Sequence, residues 1–235
     1  MKPREQLIAM FAAAALAACG DDAPPDGGDG GMEECLAPAA DRYLPLAVGA
    51  SWTYDTLDSS MTNPVTIVKT STVEALEDVG DRKAGVTAFR VRTGKSGTSG
   101  DVVSWQEDRC TSVVRHREQQ FDVNDTLLTD QFYVPGKLRV DETPEHLSVG
   151  ATWTTAYTEV EVDPILGTQT VSKDETWTVQ AVDEMVTTPA GTFTCLKVGK
   201  ATSGSAAKTY WFARGVGKIQ ETGEQTETLT AFTVP

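Results

Sequence analysis

From residue 43 onward the chain alternates apolar and polar residues in short runs. Outside the extreme N-terminus no stretch follows the 3.6-residue apolar spacing of an amphipathic helix. Residues 52–54 open a first strand, and residues 65–73, rich in β-branched side chains, predict a long second one. Residues 86–91, 102–106 and 112–115 predict three more, with polar turns over 78–84 and 94–100. Residues 119–146 are less regular. Phe121, Leu127, Leu128, Phe132 and Tyr133 need burial, which suggests a strand near 127–134 that Pro135-Gly136 breaks. The second half predicts strands over 153–158, 176–182, 192–198, 209–212, 218–221 and 226–234. Turns fall at Asp163-Pro164, at Pro189-Ala190-Gly191 and at Gly215-Val216-Gly217. Strand following strand through short turns favours an antiparallel sheet. A dozen strands in one layer must curl or divide into two packed layers. The expected fold is therefore all-β, a curved antiparallel sheet or a sandwich, with little helix.

The order of these elements repeats. Leu46-Ala47-Val48-Gly49-Ala50-Ser51-Trp52-Thr53 returns as Leu147-Ser148-Val149-Gly150-Ala151-Thr152-Trp153-Thr154, at an offset of 101. Further on the offset becomes 106: Ala75 meets Ala181, Gly85 meets Gly191, Trp105 meets Trp211, and Glu118-Gln119 meets Glu224-Gln225. Gly94-Lys95 meets Gly199-Lys200 at 105, and both read as hairpin turns. Shifts of a few residues at loops are what insertions produce. Two tandem repeats are expected, over 43–140 and 141–235, within one β domain of residues 41–235.

Charge narrows the partners. The 235 residues carry 34 acids and 20 bases, for a net charge of −14. Removing residues 1–18 takes Lys2, Arg4 and Glu5, and leaves 33 acids and 18 bases. So acidic a surface repels phosphate backbones and anionic headgroups, which argues against a nucleic-acid partner. Membrane attachment must come from something other than charge.

The N-terminus supplies it. Lys2 and Arg4 precede an uninterrupted apolar run over 7–18, too short for a comfortable membrane span but suited to a signal peptide. The run ends Leu16-Ala17-Ala18-Cys19. This pattern resembles the bacterial lipobox, in which a diacylglycerol is joined to the cysteine thiol, the signal is cut before it and the new amino terminus is acylated. The resemblance implies a signal peptide over 1–18, lipidation (palmitate among the acyl chains) at Cys19, and a membrane partner reached through the anchor. Gly20, in place of the Asp that favours inner-membrane retention, points to the outer membrane. Residues 20–34 carry six acids and no base among Gly and Pro, and read as a solvated tether within residues 19–40.

Tyr43-Leu44-Pro45-Leu46 with Gly49, Trp52 and Tyr54 resembles the entry motif of bacterial surface lipoproteins that are otherwise uncharacterised. So do Pro189-Ala190-Gly191-Thr192-Phe193 with Cys195 and Val198, and Tyr210-Trp211-Phe212-Ala213 with Gly215-Val216-Gly217. These are similar to curved half-barrel proteins typified by the lipoprotein carriers of the envelope. The resemblance implies a curved β-sheet. The chain has no sequence for the helices that plug a carrier's cavity, so carrier function does not follow.

Chemical motifs are sparse. With Cys19 lipidated, Cys35, Cys110 and Cys195 remain in an oxidising compartment, enough for one bridge. Cys35–Cys110 is the preferred pairing, stapling the tether to the domain, with Cys195 as a buried small hydrophobe. No Cys-x-x-Cys or Cys-x-x-His appears, so no metal is expected. His116, in Arg115-His116-Arg117, reads as an exposed strand end, and neither it nor His146 accompanies a Gly-x-Ser-x-Gly elbow. Gly94-Lys95-Ser96 lacks the earlier glycine of a phosphate loop, and Asp122-Val123-Asn124-Asp125 lacks the distal glutamate of a calcium loop. No catalytic residue and no cofactor is assigned. Trp52, Trp105, Trp153 and Trp211 stand at repeat-equivalent places. They either fill the core or line an apolar groove for a ligand. The reading is a non-enzymatic, lipid-anchored envelope protein with a binding or structural role, for an apolar ligand or a protein partner. The alternative is a hydrolase built on two carboxylates.

Overall fold

Twelve antiparallel strands run up and down in chain order, and the last pairs with the first to close a barrel. The structure is a computed structural model that describes residues 39–58, 65–97 and 100–235. These belong to a unit spanning Cys35–Pro235. The signal peptide, Cys19, the acidic tether and Cys35 lie outside the described residues.

The first six strands are β1 (Ser51–Asp58), β2 (Thr66–Asp78), β3 (Thr87–Lys95), β4 (Val102–Asp108), β5 (Ser112–Phe121) and β6 (Leu127–Asp141). The second six are β7 (Thr152–Asp163), β8 (Gly167–Thr188), β9 (Gly191–Thr202), β10 (Lys208–Ala213), β11 (Gly217–Thr222) and β12 (Gln225–Thr233). The only helical pieces among the described residues are single 3-10 turns at Ala39–Asp41, Asp81–Lys83 and Pro144–His146. The antiparallel all-β expectation stands. The sheet curls until β1 meets β12, along Ser51–Asp58 and Gln225–Thr233, which removes both free edges. A barrel of twelve strands is wider than the eight-strand limit at which side chains alone fill the interior, so it can keep a cavity.

The repeated motif makes the same local structure twice. Gly49 and Gly150 sit at φ +92° and +86°, a region that a side chain disfavours. Their N–H groups donate to Val73 O and Val179 O, both at 2.9 Å. Val73 and Val179 donate back to Ala50 O and Ala151 O, at 2.8 and 2.9 Å. A β-bulge follows each valine, before Ala75 and Ala181. Trp105 and Trp211 each precede a bulge too, and their indoles donate to Glu77 at 3.0 Å and Glu184 at 2.9 Å. The correspondence then lapses: Glu118-Gln119 lies within β5, whereas Glu224-Gln225 stands where β12 begins.

Three local expectations are corrected. Gly94-Lys95 and Gly199-Lys200 are strand residues in β3 and β9, not turns. A Cβ on Gly199 would stand 2.4 Å from the Gln180 amide, the far end of an exposed side chain that would have to shift. Pro135-Gly136 does not end its strand. β6 continues to Asp141 through a bulge, because the register steps from Phe132 opposite Arg117 to Lys137 opposite Arg115. His116, opposite that bulge, is buried rather than exposed. Its Nε2 lies 2.9 Å from Glu107 Oε2, and its ring packs where a Cβ on Gly136 would sit.

Candidate functional site: the barrel lumen

The segment leading into β1 crosses one end of the barrel. Arg42 reaches Asp108 at 2.8 Å and Glu142 at 3.2 Å, where β4 and β6 finish, and its carbonyl accepts from Gly215 N–H at 2.8 Å. This anchorage turns Leu44 and Leu46 onto a cavity of about 350 Å³, within the range of small-ligand pockets. Trp52, Val91 and Phe212 join them as an apolar floor. Trp52 is fixed there by its indole N–H, which donates to Val216 O at 2.5 Å.

Above this floor the walls are charged. Lys69, Lys95, Arg115, Arg139, Lys208 and Lys218 line the cavity against Glu118, Glu221 and Glu227. Six cations and three carboxylates therefore share the lumen of a chain whose net charge is −14. All three carboxylates are already committed. Glu118 pairs with Arg115. Glu221 accepts from Lys208 at 2.9 Å and Lys218 at 2.5 Å. Glu227 accepts from Lys218 at 2.5 Å and from Lys69. Burial alone would push Lys218 down and Glu221 and Glu227 up. Mutual attraction outweighs it, so Lys218 is held above the usual lysine range and both glutamates below the usual carboxylate range.

The cations are not all so placed. Arg139 Nε is buried without a hydrogen-bond partner, and no carboxylate among the described residues forms an ion pair with this guanidinium. Arg115 Nε is also buried and unpartnered. Burial, followed by repulsion from Arg139, lowers Arg115 to about 10. Lys137 has aromatic neighbours rather than a carboxylate: its ammonium lies 5.1 Å from the Tyr133 ring centroid and 5.5 Å from that of Tyr157. Burial, then Arg115 and Lys200, brings Lys137 down to about 7. Burial and Lys218 bring Lys69 to about 8 against the pull of Glu227. Lys200 completes this side, bonded to the buried Glu175 at 2.9 Å and lying over Trp177 and Tyr210.

Strand register sharpens the imbalance. Lys69 stands opposite Lys95, Arg115 opposite Lys137, and Lys200 opposite Lys208. Like charges directly opposite one another across strands destabilise a sheet.

The four tryptophans, read as either filling the core or lining a groove, do not share one site. Only Trp52 lines the cavity. Trp153 stacks between His146 (4.0 Å) and Trp177 (6.3 Å). Trp105 packs with Val79, Ala88 and Val103 under Arg117, and Trp211 lies under Lys197. Of the cysteines, Cys110 is disulfide-bonded and Cys195 is a free, buried thiol. Burial, then Glu184, pushes Cys195 up to about 12. Sequence reading missed the charged lumen. Its signal was present in Lys137-Leu138-Arg139 and Lys218-Ile219-Gln220-Glu221, charges spaced within strands otherwise made of core residues.

No protein-family model and no curated protein matches the chain. Among solved structures it is similar to a "putative exported protein with YmcC-like fold" from Bacteroides fragilis, at 11% identity and a TM-score of 0.48. It is also similar to a "putative lipoprotein" from Parabacteroides distasonis, at 14% identity and a TM-score of 0.46. Each alignment covers 81% of this chain and 98% of the other.

Proposed function

We propose that this chain is a lipid-anchored protein of the bacterial outer membrane whose barrel has a non-enzymatic role, binding a small ligand in its lumen. The observation that carries the binding reading is the cavity of about 350 Å³ between an apolar floor and charged walls. The anchor rests on Leu16-Ala17-Ala18-Cys19 after an apolar run. Two acyl chains suffice for stable attachment, and the lipobox chemistry supplies three. Descent of the barrel from a duplicated six-strand unit belongs to the same proposal, supported by the matched glycines, bulges and indole hydrogen bonds.

A hydrolase is the competing reading, and one pair of residues speaks to it. Glu221 and Glu227 face each other in register, both largely buried in the lumen. Glycoside hydrolysis by two carboxyls needs one of them to hold a proton at working pH. Lys69, Lys208 and Lys218 hold both ionised, which favours the non-enzymatic reading.

Labelled palmitate fed to an expressing bacterium tests the anchor. The wild-type chain should incorporate label and a Cys19→Ser chain should not; equal labelling of the two would remove the lipoprotein reading.

A further inference from the structure

We propose that the lumen is built for a small organic anion of the phosphomonoester type, its head held by Arg139, Arg115 and Lys95 and its apolar body laid on Leu46, Trp52 and Phe212. This deepens the binding reading above and rests on it.

A folded protein rarely leaves a buried guanidinium nitrogen without an acceptor. The lumen has two, at Arg139 and Arg115. Every carboxylate lining the cavity is already engaged by a lysine or by Arg115 itself, so none is left to answer Arg139. The field of Arg139 acts on Arg115 of the adjacent β5, on Lys137 and Tyr133 of its own strand, and on Lys200, Tyr210 and Tyr54 of β9, β10 and β1. Within that set Lys200 has Glu175 and Arg115 has Glu118 as carboxylate partners, whereas Lys137, like Arg139, has none among the described residues. The unanswered charge at this spot is therefore positive.

The excess fixes the ligand's charge. Six cations against three carboxylates leave three positive charges around the cavity. A phosphomonoester brings between one and a half and two negative charges near neutral pH and three acceptor oxygens. A planar guanidinium matches those oxygens in bidentate fashion. Leu46, Trp52, Val91 and Phe212 offer the rest of the ligand apolar contacts, with Ser71 and Ser104 beside Trp52 and Val91 and Lys218 opposite Phe212. Field focusing in a low-dielectric cavity would attract the anion although the chain as a whole repels it.

Calorimetric titration of the purified full-length protein with octyl phosphate tests this, with octanol as the uncharged counterpart. Octyl phosphate should bind at least tenfold more tightly than octanol, and Arg139→Gln should weaken it at least tenfold. Because Arg139 has no carboxylate to orphan, that variant should melt at or above the wild-type temperature. Competition by inorganic phosphate would identify a free phosphate head as the source. Competition by phosphatidic-acid vesicles would identify a lipid headgroup. Both support the same chemistry. Equal binding of octanol and octyl phosphate would overturn the anion site and leave the binding reading intact. Binding of neither would overturn both. Octyl phosphate affinity unchanged in both Arg139→Gln and Lys95→Gln would place any binding elsewhere and overturn the proposal.

Discussion

Lys69 on β2 and Lys95 on β3 stand directly opposite each other in register, and both side chains line the lumen. Glu227 answers Lys69. No carboxylate among the described residues pairs with Lys95. A directly opposed like-charge pair costs about 0.2–1 kcal/mol relative to a neutral one. Lys95→Gln should therefore raise the unfolding free energy by that amount in urea titration. A loss of stability would mean that Lys95 supports the empty barrel rather than waiting for an anion.

Lys137 gives the pH dependence a definite sign. Its folded value, about 7, lies below the ordinary lysine value of 10.5 because burial, Arg115 and Lys200 disfavour the ammonium. Below pH 7 the group is charged in both states and the folded state bears the whole penalty. Between pH 7 and 10.5 the unfolded chain binds more protons, so stability rises with pH. Lys69, lowered to about 8, adds to the same slope over a narrower window. Lys137→Met should flatten the rise and stabilise the protein at pH 6 by about 0.5–2 kcal/mol. Melting temperatures from pH 6 to 9 read this directly, and a wild-type profile that falls over that range would contradict it.

Outside the lumen the sheet is tied by Arg117. Its guanidinium grips Asp130 at 2.8 and 2.5 Å, donates to Val79 O at 2.9 Å and stacks on Trp105 and Phe132. Asp130→Ala leaves that charge between two aromatic rings with only the exposed Asp81, at 3.8 Å, as a counter-ion. Breaking such a pair costs about 3–5 kcal/mol, and replacing both residues costs less than removing one. The double variant Arg117→Met/Asp130→Leu should accordingly be more stable than Asp130→Ala in chemical denaturation.

Two glycines separate turn strain from close approach. At Gly150, φ is +86° and an added Cβ would meet nothing within 4 Å, so Gly150→Ala should cost only the backbone term of about 1–2 kcal/mol. At Gly217, φ is +113° and the Cβ would stand 2.9 Å from Trp52 Nε1. Gly217→Ala should be the more damaging of the two, because it also displaces the indole that donates to Val216 O. Equal losses would show that Trp52 can move freely.

Strand existence was legible in the sequence almost throughout, because β-branched residues and turn glycines bracket each run. Closure was not. Period two tells which side chains share a face but not which face turns inward, and Lys69, Arg115 and Glu227 look like solvent-facing positions until β12 is seen to pair with β1. His116 was misjudged for the same reason: flanked by two arginines it reads as an exposed end, yet it is the residue opposite the bulge at Pro135-Gly136. The spacing that made the tryptophans look equivalent along the chain did not bring them together in space. What the sequence could not supply was the pairing of cations across strands, which depends on register and hence on each bulge.

A crystal structure of the full-length protein grown with saturating octyl phosphate tests the central claim most directly. The account predicts the phosphate within hydrogen-bond distance of the Arg139 guanidinium and the alkyl chain against Trp52 and Phe212. A lumen free of the ligand at saturation, or a phosphate bound on the outer face with Arg139 still unpartnered, would contradict it.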